Sequence, residues 1–322
     1  MKAAHDILSQ VGKTPMVRLS RVARDVEAEV LVKLEYLNPS GSIKDRIAVR
    51  MIEDAERDGS LRQGMTIIES STGNTATALA FVGAVKGYSV TLYVPSTAAS
   101  EERMRICKAY GAKVVTIDVQ NNGDLGKRGV HGTVAELMPR EICLHEEQRA
   151  PDRIWWARQF SNPSNAAAHQ HTTGKEILEQ VRGNVDAFVA AIGTAGTLVG
   201  VSRALRAHNA SVRVIGVQPA GFEKVVEDGR LNIPLIEGVS GGLLLEMVEQ
   251  RLAEKVVCVE QKDAIEMAHR LAEEEGLFCG ISSGANVLAA LDIARSLGRG
   301  KRVVTVLVDS RDRYLFAERF TT

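Results

Sequence analysis

The stretch Asn38–Arg46 has the sequence NPSGSIKDR, and Lys44 stands at the predicted start of a helix. The helix is indicated by apolar residues that recur at helical spacing up to Gly59, namely Ile47, Ala48, Met51, Ile52 and Ala55. The macrodipole at a helix N-terminus favours the anionic Asp45 and disfavours the cationic Lys44. A solvated lysine there would cost at most about 1 kcal/mol. A buried lysine would instead have a pKa lowered from about 10.4 and would be a nucleophile.

The composition is typical of a globular protein of two domains. The chain has 322 residues, of which 45% are hydrophobic and 25% are charged, with 40 basic and 40 acidic side chains. Neither a nucleic-acid nor a membrane partner is expected from this charge balance. The N-terminal sequence MKAAHDILSQVGKTP lacks the apolar run of a signal peptide, so a cytoplasmic protein is expected. The four cysteines form no CxxC motif, and no metal site or disulfide framework is expected.

Short apolar runs alternate with helical patterns along the chain, which is typical of parallel sheets covered by helices. We therefore predict two α/β domains with a cleft between them. One sheet is predicted to end near Val119, followed by a weakly patterned segment up to about His145, and a second sheet is predicted to begin at Ala187. The predicted strands are 29–33, 66–69, 89–94, 113–119, 187–192, 212–218, 255–259 and 302–308. The predicted helices are 45–58, 75–86, 100–110, 172–182, 197–208, 261–275 and 284–297.

Three loops rich in glycine and hydroxyl side chains accompany these elements. They are 70–75 (SSTGNT), 193–197 (GTAGT) and 280–286 (GISSGAN). Ligands of open α/β sheets bind at the carboxyl ends of strands, and the free N–H groups of a helix N-terminus attract anions. Capping a helix needs only one Ser or Thr. Three such loops on one chain therefore favour a site for a carboxylate or a phosphate.

The loop 193–197 is not a complete dinucleotide-binding motif. It lacks the full GxGxxG pattern, and the next predicted strand ends in Gln218, where an acidic residue would bind a ribose. This opposes an NAD oxidoreductase and favours a single bound phosphate. A neutral amine at Lys44 near a phosphate site indicates an aldehyde cofactor held as a Schiff base, and that cofactor is pyridoxal phosphate.

Seven motifs together resemble the cysteine synthase / cystathionine β-synthase family of fold-type II pyridoxal-phosphate enzymes. They follow the family's order and span nearly the whole chain. The motifs are GKTPMVRL (12–19), KLEYLNPSGSIKDR (33–46), ESSTGNTATALA (69–80), QFSNPSNAAAHQHTTGKEI (159–177), GTAGT (193–197), GISSGAN (280–286) and DSRDRYL (309–315).

The resemblance implies an architecture similar to the tryptophan synthase β-subunit. Two three-layer αβα domains with mostly parallel sheets would enclose the active site in the cleft between them. The smaller, mobile domain would comprise residues 1–12 and 35–157. The larger domain, residues 13–34 and 158–322, would bind the cofactor phosphate.

The resemblance also implies the roles of individual residues. Lys44 would form the Schiff base with pyridoxal 5'-phosphate and later move the substrate α-proton. Asn74 would hydrogen-bond the cofactor 3′-oxygen, and Ser282 would face the pyridine nitrogen. The phosphate would be held by Gly193, Thr194, Ala195, Gly196 and Thr197. The substrate carboxylate would be bound by Ser71, Thr72, Asn74, Thr75 and Gln159, with Gly238 near the substrate amine.

The implied activity is replacement of the β-substituent of an activated L-serine. O-acetylserine or O-phosphoserine would lose its leaving group to give an aminoacrylate, and sulfide would add to give L-cysteine. A serine facing the pyridine nitrogen makes the ring a weaker electron sink than an aspartate would, which favours this path over transamination. The implied partners are a second copy of the chain and a serine acetyltransferase.

Other activities stay open at this point. The nucleophile could be homocysteine, giving cystathionine, or an amine or hydroxyurea. Net elimination by a serine or threonine dehydratase is opposed by the motifs QFSNPSN and SSGAN. A non-catalytic homologue is opposed by the joint presence of Lys44, Asn74, Gln159 and Ser282.

The chain also departs from the family pattern. It has STGNTA where the family usually has TSGNTG, and Ala195 stands where phosphate loops usually have glycine. We expect backbone N–H donation to survive this methyl group, provided that φ of Ala195 is negative. Segment 120–157 is longer than in typical cysteine synthases and segment 219–237 is shorter, and both would flank the cavity.

Overall fold

The computed structural model describes residues 3–96, 100–118, 137–220, 226–227, 230–231 and 243–315. Its strands are β1 (Met16–Arg18), β2 (Glu29–Leu34), β3 (Thr66–Ser70), β4 (Ser89–Pro95), β5 (Lys113–Ile117), β6 (Ile154–Trp156), β7 (Ala187–Ala191), β8 (Arg213–Pro219), β9 (Val226–Glu227), β10 (Arg230–Leu231), β11 (Lys255–Val259) and β12 (Arg302–Leu307). Its α-helices are α1 (Lys44–Asp58), α2 (Asn74–Lys86), α3 (Glu101–Ala109), α4 (Leu137–Arg149), α5 (Pro163–Ala168), α6 (Gly174–Val181), α7 (Gly196–His208), α8 (Leu243–Glu249), α9 (Gln261–Glu275) and α10 (Ile281–Leu297).

The strands form two larger sheets, both mostly parallel. The six-stranded sheet has the order β1-β2-β12-β7-β8-β11, and only the pairing of β1 with β2 is antiparallel. The four-stranded sheet has the order β5-β4-β3-β6 and is parallel throughout. This arrangement confirms the predicted α/β class. The boundaries proposed for the two domains stay a prediction.

The six-stranded sheet is covered on both faces, as buried parallel strands require. Alternate residues of β7 show this, because successive side chains of a strand point to opposite faces. Ala187 and Val189 pack with α9 and α10, whereas Phe188 and Ala190 pack with α6 and α7. Strands of this kind are near-continuous apolar runs in the sequence, and such runs are the signal from which they were predicted.

Two predictions about the sheets are wrong. The four-stranded sheet does not end with the strand near Val119, since β6 adds to the free edge of β3 after α4. The six-stranded sheet does not begin at Ala187, because β1 and β2 belong to it. Both β1 and β6 have only three residues, too few to produce a recognisable alternation of side chains. Within the described residues, no helix has the length and hydropathy to cross a membrane.

The helix predicted at 172–182 begins earlier, at Pro163. A π-helical segment, His169–Thr173, joins α5 to α6. The side chain of Asn162 caps the start by accepting a hydrogen bond from the backbone N–H of Ser164, with Pro163 in the first turn. Such π segments are frequent at functional sites, and this one faces α7.

We predict that Gly284→Ala destabilises the protein by about 1–3 kcal/mol, the range for overpacking a core. A Cβ at Gly284 would lie 2.1 Å from the carbonyl oxygen of Ala264, so α9 and α10 would have to separate. The free energy of unfolding, measured by denaturant titration, tests this. Gly183→Ala is the matched control, because its Cβ would approach the flexible end of Arg302 at 2.5 Å. Equal losses in the two variants would contradict the proposed helix contact.

Candidate active site

A cavity of about 480 Å³ lies at the carboxyl ends of β7, β8 and β12. Four residues singled out from the sequence line it, namely Lys44, Gly193, Thr197 and Ser282. Much of the remaining wall is apolar and includes Ala190, Val217, Ala285 and Val306. An apolar cavity with a few convergent polar groups is the usual form of a small-molecule site.

Lys44 is the first residue of α1, and the loop before it is attached to the six-stranded sheet. Ser42 forms an antiparallel bridge with Asp309, and the backbone N–H of Ile43 donates to the carbonyl of Val308 at 2.9 Å. The Lys44 side chain is partly exposed, to the cavity that it lines. Its Nζ makes no hydrogen bond with any of the described residues, so none of these offers an acceptor that would stabilise the charged form.

The electrostatic setting of Lys44 favours a neutral amine. Burial lowers the pKa of Lys44 to about 8, and the negative charge of Asp309 opposes this shift. A substantial fraction of the amine is therefore unprotonated near pH 8. This explains how a lysine can occupy a helix N-terminus, where a full positive charge is disfavoured.

A buried ionic cluster fixes the first turn of α1. Arg46 Nε donates to Glu35 Oε2 at 2.7 Å, and Arg46 Nη1 donates to Glu176 Oε1 at 2.7 Å. Lys33 Nζ lies 2.8 Å from the second oxygen of Glu176. Two cations thus face two anions, and each buried charge has a partner. The cluster connects α1 with β2 and α6, and its member Arg46 lies two residues after Lys44.

The loop 193–197 joins β7 to the N-terminus of α7. Thr194 Oγ1 accepts a hydrogen bond from Asn165 Nδ2 at 3.0 Å. The condition of a negative φ at Ala195 is not met, because its φ is +66°. This left-handed conformation is uncommon for residues with a Cβ, and such residues cluster at functional sites. It sets the turn that leaves the first-turn N–H groups of α7 at the mouth of the loop.

His169 supports the loop through contacts of both of its ring nitrogens. Its Nε2 lies 3.3 Å from Thr197 Oγ1, and its Nδ1 lies 3.0 Å from Thr173 Oγ1. Burial lowers the pKa of His169 well below its usual range, and the positive charges of Lys44 and Arg46 add to this. The imidazole is therefore neutral, with one nitrogen donating and the other accepting. The π-helical segment gives His169 this position.

These residues fit an aldehyde cofactor that carries a phosphate. The N-terminus of α7 offers backbone N–H groups and a favourable dipole to an anion. A Cβ at Gly193 would have no atom within 4 Å among the described residues, so the loop leaves open space there. Lys44 supplies the amine, and the apolar walls suit a flat ring. Ser282 lies on the same wall, whereas the next residue, Ser283, is occupied by a hydrogen bond from Val308 N at 2.9 Å.

The residues expected to bind the substrate carboxylate form a second group. Thr75 Oγ1 donates to Gln159 Oε1 at 2.5 Å, and Gln159 Nε2 donates to the carbonyl of Ser70 at 3.2 Å. Ser71 Oγ accepts from Gly73 N at 3.3 Å. Their role toward a substrate stays a prediction, as does that of Thr72, whose carbonyl accepts from an arginine, Arg103, at 3.4 Å. Gly238 lies outside the described residues.

Glu69 holds Gln159 in place and was not predicted from the sequence. Its carboxylate accepts hydrogen bonds from Gln159 N at 2.9 Å, Ser70 N at 2.8 Å and Trp156 Nε1 at 3.1 Å. Burial raises the pKa of Glu69, and these hydrogen bonds oppose the shift. The tryptophan belongs to β6, which the sequence pattern missed, so the contact had no visible signal.

Asn74 contacts a buried aspartate and an arginine from the end of the chain. Its Nδ2 donates to Asp309 Oδ2 at 2.6 Å, and its Oδ1 accepts from Arg313 Nη1 at 2.9 Å. Tyr314, which lines the cavity, donates its hydroxyl to the same oxygen of Asp309 at 2.5 Å. The motif DSRDRYL contains all three partners, but only the structure shows what they contact.

The cavity of this α/β fold combines an amine of lowered pKa with a helix N-terminus suited to phosphate. This combination defines an enzyme class that binds an aldehyde cofactor. Comparison with known proteins agrees, since residues 7–309 match the family described as pyridoxal-phosphate dependent enzymes. A cysteine synthase from Staphylococcus aureus is 38% identical over 315 residues, which cover 98% of this chain and 96% of the relative. The chain therefore belongs to the pyridoxal-phosphate dependent enzyme family.

Solved structures show the same fold. A cysteine synthase (OASS) from Entamoeba histolytica has a TM-score of 0.85 and 34% identity, covering 100% of this chain and 92% of that one. An O-ureido-L-serine synthase has a TM-score of 0.83 and 35% identity, covering 99% of this chain and 96% of that one. These similarities confirm the fold-type II architecture predicted from the motifs, and the family confirms the predicted cofactor.

We predict that the amine of Lys44 in the cofactor-free protein reacts with an acylating reagent with a midpoint near pH 8. The reaction follows the neutral fraction, and an unperturbed lysine would need a pH of about 10.4 for half of its amine to be neutral. Peptide-resolved mass spectrometry over a pH series measures this. Lys33 is the internal control, because burial also lowers its pKa but its side chain is 0% exposed, and it should stay unlabelled. Labelling of Lys44 only above about pH 10 would refute the neutral amine.

Proposed function

We propose that this protein replaces the β-substituent of an activated L-serine with sulfide, producing L-cysteine. O-acetylserine and O-phosphoserine are the expected substrates. The observation that supports this most directly is the position of Lys44, whose amine of lowered pKa shares a cavity with Gly193, Thr197 and Ser282. The cysteine synthases among the relatives support the choice of reaction.

Pyridoxal phosphate, when bound, supplies an aldehyde for attachment of amines and a ring that accepts electrons from the substrate α-carbon. The residues that would hold it are Lys44 at the aldehyde, loop 193–197 at the phosphate, Asn74 at the 3′-oxygen and Ser282 at the pyridine nitrogen. Ser282 is a neutral hydroxyl and gives the ring nitrogen no fixed negative charge. This favours loss of the β-substituent over transamination.

The chain's own groups would then handle protons and orientation. Lys44 Nζ would take the substrate α-proton, since the neutral amine is the competent base. Loop 71–75 and Gln159 would bind the α-carboxylate through hydroxyl, amide and backbone N–H donors. The hydrogen bond that Thr75 Oγ1 donates to Gln159 Oε1 keeps these two side chains adjacent before substrate arrives. Movement of the smaller domain onto the substrate would exclude water.

We predict that Lys44→Ala lowers cysteine formation by about 10²–10⁴-fold, the usual contribution of a general base. Production of cysteine from O-acetylserine and sulfide measures it, with O-phosphoserine tested in parallel. Lys262→Ala is the matched control, because Lys262 lies in the first turn of α9 but is exposed, and it should retain full turnover. Full turnover by Lys44→Ala would refute the proposed role.

A second candidate is the same replacement with another nucleophile. The structural similarity to an O-ureido-L-serine synthase is the observation that favours it. Comparing sulfide, homocysteine, hydroxyurea and simple amines with each activated serine decides between the candidates. If kcat/KM is lower for sulfide than for another nucleophile, the reaction with that nucleophile is the function and cysteine synthesis is not. We further propose a homodimer and a serine acetyltransferase partner, as the resemblance implies, and separately a cytoplasmic location.

A further inference from the structure

Asp309 lies at the centre of a buried cluster and has no role in the reaction proposed above. Its side chain is 0% exposed. One oxygen, Oδ2, accepts from both Asn74 and Tyr314, while the other, Oδ1, has no hydrogen-bond partner among the described residues. Arg313, which is 8% exposed, donates to the Oδ1 atom of Asn74. The Asn74 amide is therefore held between a carboxylate and a guanidinium.

The chemistry of the two partners allows only one orientation of this amide. A carboxylate accepts hydrogen bonds and a guanidinium donates them. The Asn74 nitrogen must therefore face Asp309, and its oxygen must face Arg313. Rotating the amide by half a turn would bring two acceptors together and two donors together. In the observed orientation, one N–H of Nδ2 remains after the bond to Asp309.

The backbone fixes both partners relative to the cavity. The carbonyl of Asp309 accepts from Gly280 N at 3.0 Å, and a Cβ at Gly280 would lie 2.3 Å from Asp309 Oδ1. Arg313 passes over Gly41, where a Cβ would lie 3.1 Å from its Nη2. Gly41 has a φ of +85°, so this turn also suits glycine conformationally. The cluster thus connects the loop before Lys44 with the turn before Ser282.

We propose that Asp309 and Arg313 are positioning residues that hold the Asn74 amide with its remaining N–H available to the 3′-oxygen of the cofactor. That oxygen is an acceptor, so it needs the amide nitrogen and not the amide oxygen. Both residues act through Asn74. The inference rests on the proposed function only in requiring that pyridoxal phosphate binds at Lys44.

A double-mutant cycle tests the proposal. The full-length chain is prepared as wild type, Asp309→Asn, Asn74→Ala and the double variant, and the Kd for pyridoxal phosphate and the visible absorbance of the bound cofactor are measured. We expect Asp309→Asn to weaken binding about tenfold, the effect of losing one oriented hydrogen bond, and to shift the absorbance. In the Asn74→Ala background it should change Kd by less than about twofold.

Asp312→Asn is the matched control. Asp312 lies three residues further on, in the short 3-10 helix Arg311–Tyr314, and is exposed, and it should match wild type. If Asp309→Asn does not fold, Arg313→Met replaces it in the cycle, and Arg311→Met is then the control. Arg311 is an equally buried arginine of that helix that contacts His269 and Phe278. The unfolding midpoint of each variant separates a change in Kd from a general loss of stability.

Independent effects would overturn the proposal. If Asp309→Asn weakens binding equally with and without the Asn74 amide, Asp309 acts by another route, such as its charge on Lys44. Failure of wild type to bind pyridoxal phosphate would instead overturn the proposed function, and this inference with it. If wild type binds pyridoxal phosphate but the effects of the two substitutions on Kd are independent, only this inference is overturned and the proposed function stands.

Discussion

The arrangement of this protein depends on lowering the pKa of the Lys44 amine beside an anion-binding helix terminus. Burial lowers the pKa of Lys44 to about 8, and the positive end of α1 disfavours its protonated form in the same direction. Protein atoms surround the side chain, while the cavity keeps its Nζ accessible. A lysine exposed on the same helix end would keep a pKa of about 10.4, and its neutral fraction at pH 7 would be far smaller. Placing one side chain in this way requires that both ends of its segment be held rigidly.

Two sets of contacts provide that rigidity, one following Lys44 in the chain and the other preceding it. Arg46 bonds to Glu35 and Glu176 within a buried cluster that balances its own charge, and these bonds anchor α1. Before Lys44, the backbone of Ser42 forms an antiparallel bridge with that of Asp309, whose carboxylate has one oxygen without a partner among the described residues. Its charge opposes the effect of burial on Lys44. The balance between burial and this one carboxylate keeps the pKa of the amine near 8.

The sequence predicted those parts of the site that depend on local pattern. The apolar periodicity located α1 and α9 to within one residue, since a long amphipathic helix repeats its signal several times. α10 was predicted to start at Gly284 but begins at Ile281, because the serines of its first turn resemble a loop. The contacts that orient the site were not predictable. Asn74 and Asp309 are 235 residues apart in the chain, and no spacing rule joins them.

Ala195 shows why a substitution inside a motif does not reveal backbone conformation. Alanine replaces the usual glycine here, and the residue nevertheless has φ +66°. The neighbouring Gly196 explains this, because a Cβ there would lie 1.9 Å from Asn165 Oδ1. The steric requirement for glycine therefore falls on position 196, where the chain packs against α5. Position 195 has room for a methyl group, and its strain is tolerated because Asn165 Nδ2 and Gly196 N both donate to Thr194 Oγ1 and so fix the turn.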